Sequence, residues 1–301
     1  MSATVRPRTF AATLGLIAMT AVWGSTFVLI KDVVERMRVV DFLAVRFVVA
    51  ALAMLVFFAR PVWRLDRRQL GRALLLGLVY GIAQLLQTWG LKLIAPSVSG
   101  FATGMYVVFT PILAWLLLRE RVAGVVWLAV ALATGGLALL SLHGVSVDPG
   151  VWLTLASAAL YALHIVGLGR WSREADAIGM SAMQVVAIAV VCVLATLPHG
   201  PSLPPDGSAW LVVLYMALVA GAGAMLVQTW AQAHLPPARA AIVMTTEPVF
   251  AAGFAVALGV DALSWRMLAG GALVLGAMYL VELAPRRSVA LDAESIHHEV
   301  S

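Results

Sequence analysis

The sequence predicts an all-α integral membrane protein of ten transmembrane helices, built as two inverted-topology five-helix repeats with the N- and C-termini cytoplasmic. Three observations lead there. The 301 residues are 62% hydrophobic and only 12% charged, with a mean hydropathy of +0.97, whereas a soluble domain is about half apolar and about a quarter charged. The apolar residues fall into runs of about 20, the length of helix that crosses a hydrocarbon core. The second half of the chain also repeats the first at a fixed offset.

The runs lie at roughly 10–30, 40–59, 71–91, 98–118, 122–141, 150–169, 177–197, 209–230, 238–258 and 265–284. Helix is expected in each, because lipid cannot satisfy free backbone groups. A barrel would show short alternating strands instead. The first run follows Arg6 and Arg8, like a signal peptide's basic start, but continues past Trp23 without a small-residue cleavage site, so an uncleaved helix is expected. The second is followed by the basic loop Arg60 to Arg72. The seventh holds the single cysteine, Cys192, which rules out an intrachain disulfide and leaves the redox compartment open. The Pro/Gly-rich loop Pro198 to Ser208 precedes the eighth. The ninth carries a carboxylate, Glu247, followed by Pro248, and a kink is expected at the proline. Residues 286–301 read as a mobile polar cytoplasmic tail.

Loop charge sets the orientation. With a cytoplasmic N-terminus, the inside holds Arg6, Arg8, Arg60, Arg64, Arg67, Arg68, Arg72, Arg119, Arg121, Arg170, Arg173, Arg239, Arg286 and Arg287. The outside holds only Lys31, Arg36, Arg38, Lys92 and Arg266, and Arg46 lies within the second run. The basic balance therefore reports topology rather than nucleic-acid binding.

Sliding the chain by 141 residues puts Gln87-Thr88-Trp89 on Gln228-Thr229-Trp230, Pro96 on Pro237, Val108-Phe109 on Val249-Phe250, Glu120 on Asp261 and Gly135 on Gly276. At an offset of 138, runs 1 and 2 fall more weakly on 6 and 7. The repeats are thus 10–141 and 150–284. Five helices is an odd number, so the second copy enters from the opposite side, the arrangement from which many secondary transporters build a midplane site.

Polar side chains recur at helical spacing inside these apolar runs. Run 4 carries Ser99, Thr103, Tyr106 and Thr110. Run 3 carries Tyr80, Gln84 and Gln87. Run 6 carries Ser157, Tyr161 and His164, and run 1 shows Met19, Trp23 and Thr26 on the matching face. Singly, such residues serve as interhelical glue worth ~0.6 kcal/mol per contact. Aligned, they point to a central cavity lined by Trp23, Thr26, Tyr80, Gln84, Gln87, Ser99, Thr103, Tyr106, Tyr161, His164 and Gln228.

Intramembrane acids are rare and usually functional. Glu247 is either a proton-coupling or cation-contacting carboxylate, or a structural acid paired with Gln228 or Arg46. Arg46 is either a partner of substrate or Glu247, or a residue near a helix end that snorkels or pairs structurally, and its place in the run favours the latter. His164 relays protons or simply bonds within a helix interface. Trp23 and Trp230 wall a site or, for Trp230 above all, mark the membrane interface. Gly135-Gly136, Gly270-Gly271 and Gly276 suit close helix packing.

No H-E-x-x-H and no G-x-x-x-x-G-K-[ST] occurs, and the histidines lack metal-ligand spacing. No cofactor, metal or catalytic residue is called for. An intramembrane enzyme and a non-transporting sensor or scaffold stand as the alternatives of different class. A channel is disfavoured for want of repeated charges.

Ala21-Val22-Trp23-Gly24-Ser25 with Lys31, then Arg46-Phe47, Phe109 through Leu118-Arg119-Glu120-Arg121, and Glu247-Pro248-Val249-Phe250 resemble, in order and spacing, the EamA-type members of the drug/metabolite transporter superfamily. The resemblance spans nearly all of residues 10–285. It implies ten helices in five-plus-five inverted repeats and alternating access. It also implies a small-molecule substrate such as an amino acid or related compound or drug, often exported, with protons as the candidate coupling ion. The expected setting is the bacterial inner membrane; no nucleic-acid partner is expected, and the oligomeric state stays open. Where the family often has Pro in the fourth helix this chain has Val107, with Pro111 four residues on, which leaves that kink unplaced. The acid closing the ninth helix comes late, as Gly259-Val260-Asp261.

Overall fold

The computed structural model describes residues 7–118, 124–143, 146–171, 176–234 and 243–283. Arg6, Arg119, Glu120, Arg121, Arg173, Pro237, Arg239, Arg286, Arg287 and the tail 286–301 lie outside the described residues.

The fold is helical throughout, apart from a two-residue antiparallel ladder, Leu142–His143 (β1) with Ser146–Val147 (β2). The helices are α1 Pro7–Arg36, α2 Val39–Trp63, α3 Arg67–Leu93, α4 Pro96–Gly104, α5 Tyr106–Leu118, α6 Gly124–Ser141, α7 Pro149–Trp171, α8 Ala177–Thr196, α9 Gly207–Ala217, α10 Ala224–His234, α11 Glu247–Ala257 and α12 Trp265–Leu283. A π-helical turn, Leu218–Gly223, joins α9 to α10. Among the described residues, seven spans are long and apolar enough to cross a membrane, and three shorter apolar helices accompany them. Val56, Phe57, Leu211 and Leu268 leave most of their surface outside the protein. Trp63, Trp152 and Trp265 stand exposed at helix ends, where aromatic residues meet the lipid headgroups. This is the surface of a multi-pass membrane protein.

Aspartates start several helices, since the first four N–H groups of any helix need acceptors. Asp66 accepts from Gln69 N at 2.7 Å, while Gln69 Oε1 accepts from Asp66 N at 3.1 Å, a capping box for α3. Asp176 caps α8 through Ile178 and Gly179, and Asp206 caps α9 through Ala209. The Asp206 carboxyl lies outside the spans. Its bonds from Ser208, from the Ala209 amide and from Arg36 pull its pKa down to about 2. α4 is capped from the other half of the chain: Asp261 accepts from Ser97 N at 2.9 Å.

Each interruption has a local cause. In α2 the chain leaves helical geometry at Phe58, three residues before Pro61, because a proline clashes with the preceding turn. The fourth run breaks at Met105, between α4 and α5, not at Pro111, which α5 accommodates. The ninth breaks at Thr245-Thr246, just ahead of α11. Pro248 therefore sits in the first turn of α11, where its missing donor costs nothing. The kink expected at the proline is a helix start instead. The break in each run falls one residue before Tyr106 and one before Glu247, positions 141 apart.

The closest packing pairs α2 with α8, α3 with α7 and α8, α6 with α12, α1 with α10 and α11, and α4 with α11. Glycines set two of these distances. A Cβ on Gly24 of α1 would lie 2.8 Å from the Ala251 nitrogen of α11. Between α6 and α12, a Cβ on Gly136 would lie 2.7 Å from the Gly270 carbonyl oxygen, and one on Gly270 2.8 Å from that of Gly136. Gly271 meets the Phe101 ring, but Gly135 and Gly276 face open space. Close packing thus accounts for Gly136, Gly270 and Gly271, not for the other two. Gly136→Ala is expected to destabilise the detergent-purified protein by about 1–3 kcal/mol through overpacking, whereas Gly135→Ala is expected to be neutral or stabilising. Thermal unfolding of the two variants beside the parent checks both signs.

Candidate functional site

Where α1, α2, α3, α4, α5, α7, α10 and α11 converge they line a cavity of about 60 Å³, room for roughly four water molecules. Trp23 and Thr26 reach it from α1, Arg46 from α2, and Tyr80, Gln84 and Gln87 from α3. Thr103 and Tyr106 come from α4 and α5, Tyr161 and His164 from α7, Gln228 from α10 and Glu247 from α11. Ser99 does not join them. It is fully buried nearby, and its Oγ has no hydrogen-bond partner among the described residues.

One wall is a chain of hydrogen bonds between the two halves of the sequence. Gln84 Nε2 donates to Tyr161 Oη at 2.7 Å, Tyr161 Oη donates to Gln87 Oε1 at 2.8 Å, and Gln87 Nε2 donates to Thr103 Oγ1 at 3.0 Å. Each of these bonds gives a buried or half-buried polar atom a partner, as polar groups away from water require. Tyr80 packs edge-on against Tyr161 and His164, with ring centroids 4.9 and 5.0 Å away. His164 Nε2 lies 2.7 Å from Gln184 Oε1, so it both bonds across a helix interface and lines the cavity.

The opposite wall holds the carboxylate. Glu247 is buried, and its partner is Tyr106, whose hydroxyl donates to Oε2 at 3.3 Å; the same hydroxyl lies 3.3 Å from the Met244 carbonyl. Neither Gln228 nor Arg46, the partners expected from the sequence, is within ion-pair or hydrogen-bond reach of it.

Arg46 also departs from expectation. Snorkelling would place its guanidinium at a helix end in the headgroup region. It is instead 5% exposed and turned into the cavity, stacked 4.7 Å over the Phe47 ring. The reason is that α2 begins at Val39, and neighbouring helices cover the first two turns of that face. Lys31, counted above as a loop charge, donates to the carbonyls of Leu91, Lys92 and Ile94 at 2.8–3.1 Å. It thereby caps the C-terminal end of α3, where a cation suits the helix dipole.

Trp23 is placed by the π turn. A π-helical turn misaligns the backbone ladder and leaves a carbonyl available, and Trp23 Nε1 donates to Ala220 O at 2.9 Å. Trp230 is 40% exposed and packs against His234, away from the cavity. Thr26 and Thr110 return their hydroxyls to backbone carbonyls of Trp23 and Tyr106. Thr26 still faces the cavity, while Thr110 only braces its helix. The apolar lining residues Phe27, Ile30, Leu91, Ile165 and Met244 were missed in the sequence, because nothing in an apolar run separates cavity-facing from lipid-facing positions.

Known proteins fit this architecture. A solved protein crystal structure superposes on the chain with a TM-score of 0.66 at 20% identity, covering 95% of this chain and 99% of that one; at that identity the likeness is one of fold. An uncharacterised transporter of Archaeoglobus fulgidus is 29% identical over 277 residues, 90% of this chain and 86% of its own length. The sequence profile of the EamA-like transporter family matches twice, over residues 10–142 and 148–283. Those matches take in both halves that converge on the cavity, and the chain belongs to the EamA-like transporter family.

Proposed function

We propose that the protein is a secondary active carrier of small organic metabolites, such as amino acids or related compounds and drugs. In this reading it works by alternating access around the central cavity, in the export direction, in a bacterial inner membrane. The observation that carries the reading is the contact between Tyr106 and Glu247. These residues occupy the same position in the two halves, 141 apart, and each opens a helix after a break. A position that touches its own counterpart lies on the axis relating two copies.

The helix packing supports the same axis. Exchanging runs 1 to 5 for 6 to 10 turns the α3–α7 contact into the α1–α10 contact. It turns α1–α11 into the contacts that α4 and α5 make with α7, and leaves α2–α8, α6–α12 and α4–α11 paired as they are. Five helices per copy then require inverted topology, with both ends on the cytoplasmic side. A small polar-lined cavity on such an axis suits a carrier that opens to each side in turn. Trp23, Thr26, Tyr80, Gln84, Gln87, Thr103, Tyr106, Tyr161, His164 and Gln228 line the substrate path in this reading. Ser99 supports the α4 wall from behind. Glu247 is the coupling group, a carboxyl able to exchange a proton with the cavity.

Purified protein in liposomes is expected to move substrate along an imposed substrate or proton gradient without ATP. Flux indifferent to every gradient, with hydrolysis of the compound instead, would overturn the carrier reading. Glu247→Gln keeps the size of the side chain and its contact with Tyr106. It is expected to leave thermal stability near that of the parent while lowering proton-driven transport about tenfold or more, equivalent to about 1.4 kcal/mol. Undiminished pH-driven transport in that variant assigns Glu247 to structure alone.

A further inference from the structure

We propose that the Arg46 guanidinium is a binding group for a carboxylate, and that the central cavity takes small organic monocarboxylates. The proposal deepens the carrier reading and rests on it only for movement across the membrane, not for binding.

Three other cations near helix ends all find acceptors. Lys31 has three carbonyls. Arg36 has the carboxylates of Asp32 and Asp206 at 2.6 and 2.7 Å. Arg38 has Asp41 at 2.6 Å and the Gly200 carbonyl. Each of these sits nearer water than Arg46 does. Arg46 is 5% exposed, yet its buried Nε has no hydrogen-bond partner and no carboxylate pairs with its guanidinium among the described residues. Its one marked contact is the face of Phe47, which stabilises a cation but uses none of its donors. A buried, unpaired charge is among the least favourable arrangements a fold can hold, and this one faces a cavity rather than a neighbouring helix. An anion entering the cavity relieves it.

The chemistry of the cavity selects which anion. A guanidinium presents a planar fork that meets a carboxylate with two parallel hydrogen bonds. Among the residues lining the cavity Arg46 is the only Lys or Arg, and Glu247 shares the space. A dianion such as a phosphate monoester would lack a second cation and would stand near a carboxyl. A monocarboxylate needs only the one. Much of the remaining surface is the hydrogen-bonded Gln84–Tyr161–Gln87–Thr103 chain, the rings of Trp23 and Tyr80 and apolar side chains such as Phe27 and Leu91. These suit the uncharged, organic remainder of the ligand. At about 60 Å³ the cavity is small, and so is the ligand it suits.

The test uses the full chain purified in detergent and matched acid and amide pairs: acetate with acetamide, benzoate with benzamide, L-leucine with L-leucinamide. At least one acid is expected to raise the Tm by about 5 °C at about 100 times its Kd, while its amide does not. Arg46→Gln is expected to abolish that shift and Arg46→Lys to keep part of it. Ligand-free Arg46→Gln is expected to be as stable as the parent or more so, because it removes an unpaired buried charge. The proposal is overturned if every acid behaves like its amide, if the shift survives in Arg46→Gln, or if the ligand-free variant loses stability as a structural arginine's removal would cause. Flux assays keep the two readings apart. Acid binding that depends on Arg46 without any liposome flux removes the carrier reading alone. Flux of neutral or cationic compounds unchanged by Arg46→Gln removes the carboxylate site alone.

Discussion

Hydrocarbon offers no hydrogen bonds, and the rest of this structure follows from where its polar groups go to find them. A backbone surrounded by lipid has to bond to itself, so every long apolar run is helical. A side chain has two options. It can return its hydroxyl to its own helix, as Thr26, Thr110, Thr154, Ser157 and Thr196 do, or it can turn inward to a partner on another helix. Enough of the second kind turn inward at one depth that they create a polar interior, and the cavity forms there.

The same constraint explains the irregular helices. Where the ladder is interrupted, something nearby answers the freed group. The Ala220 carbonyl in the π turn takes the Trp23 indole N–H. Lys31 takes the carbonyls left at the end of α3, and Asp261 takes the Ser97 amide at the start of α4. Arg266 Nε, on α12, takes the Leu139 carbonyl of α6. Several of these bonds join the first half of the chain to the second. Satisfying a helix end therefore also fastens the halves together, as in the Asp261–Ser97 and Arg266–Leu139 bonds.

Much of the helix order was legible from composition and run length, because lipid enforces the 20-residue period so strictly. The proposed repeat rests on scarce residues, Gln-Thr-Trp and Pro, which chance does not align readily. The polar cavity side chains were legible because a Gln or Tyr in an apolar run has to face something. What sequence hid was depth and direction. Arg46 looked like a snorkelling residue because distance along a run does not say which neighbouring helix covers it. Ser99 shared a stripe with Thr103 and Tyr106 but sits on the covered side of a short helix. The π turn in Leu-Val-Ala-Gly-Ala-Gly carries no signal beyond its glycines. The helix break before Glu247 was assigned to Pro248, since proline marks starts as well as kinks and only the backbone tells which.

The Tyr106–Glu247 contact bears on how such a molecule can arise. In a symmetric pair of separate identical chains, a residue on the two-fold axis meets its own copy. A glutamate there would face a glutamate, and two buried carboxylates at that distance cannot both ionise. A tyrosine would face a tyrosine and leave no acid at all. Joining the two copies into one polypeptide lifts that restriction, because each side of the axis is then encoded separately. On the proposed inverted-repeat reading, the Tyr106–Glu247 pair is an arrangement that a homodimer of either half could not hold, and covalent fusion of the halves makes it available.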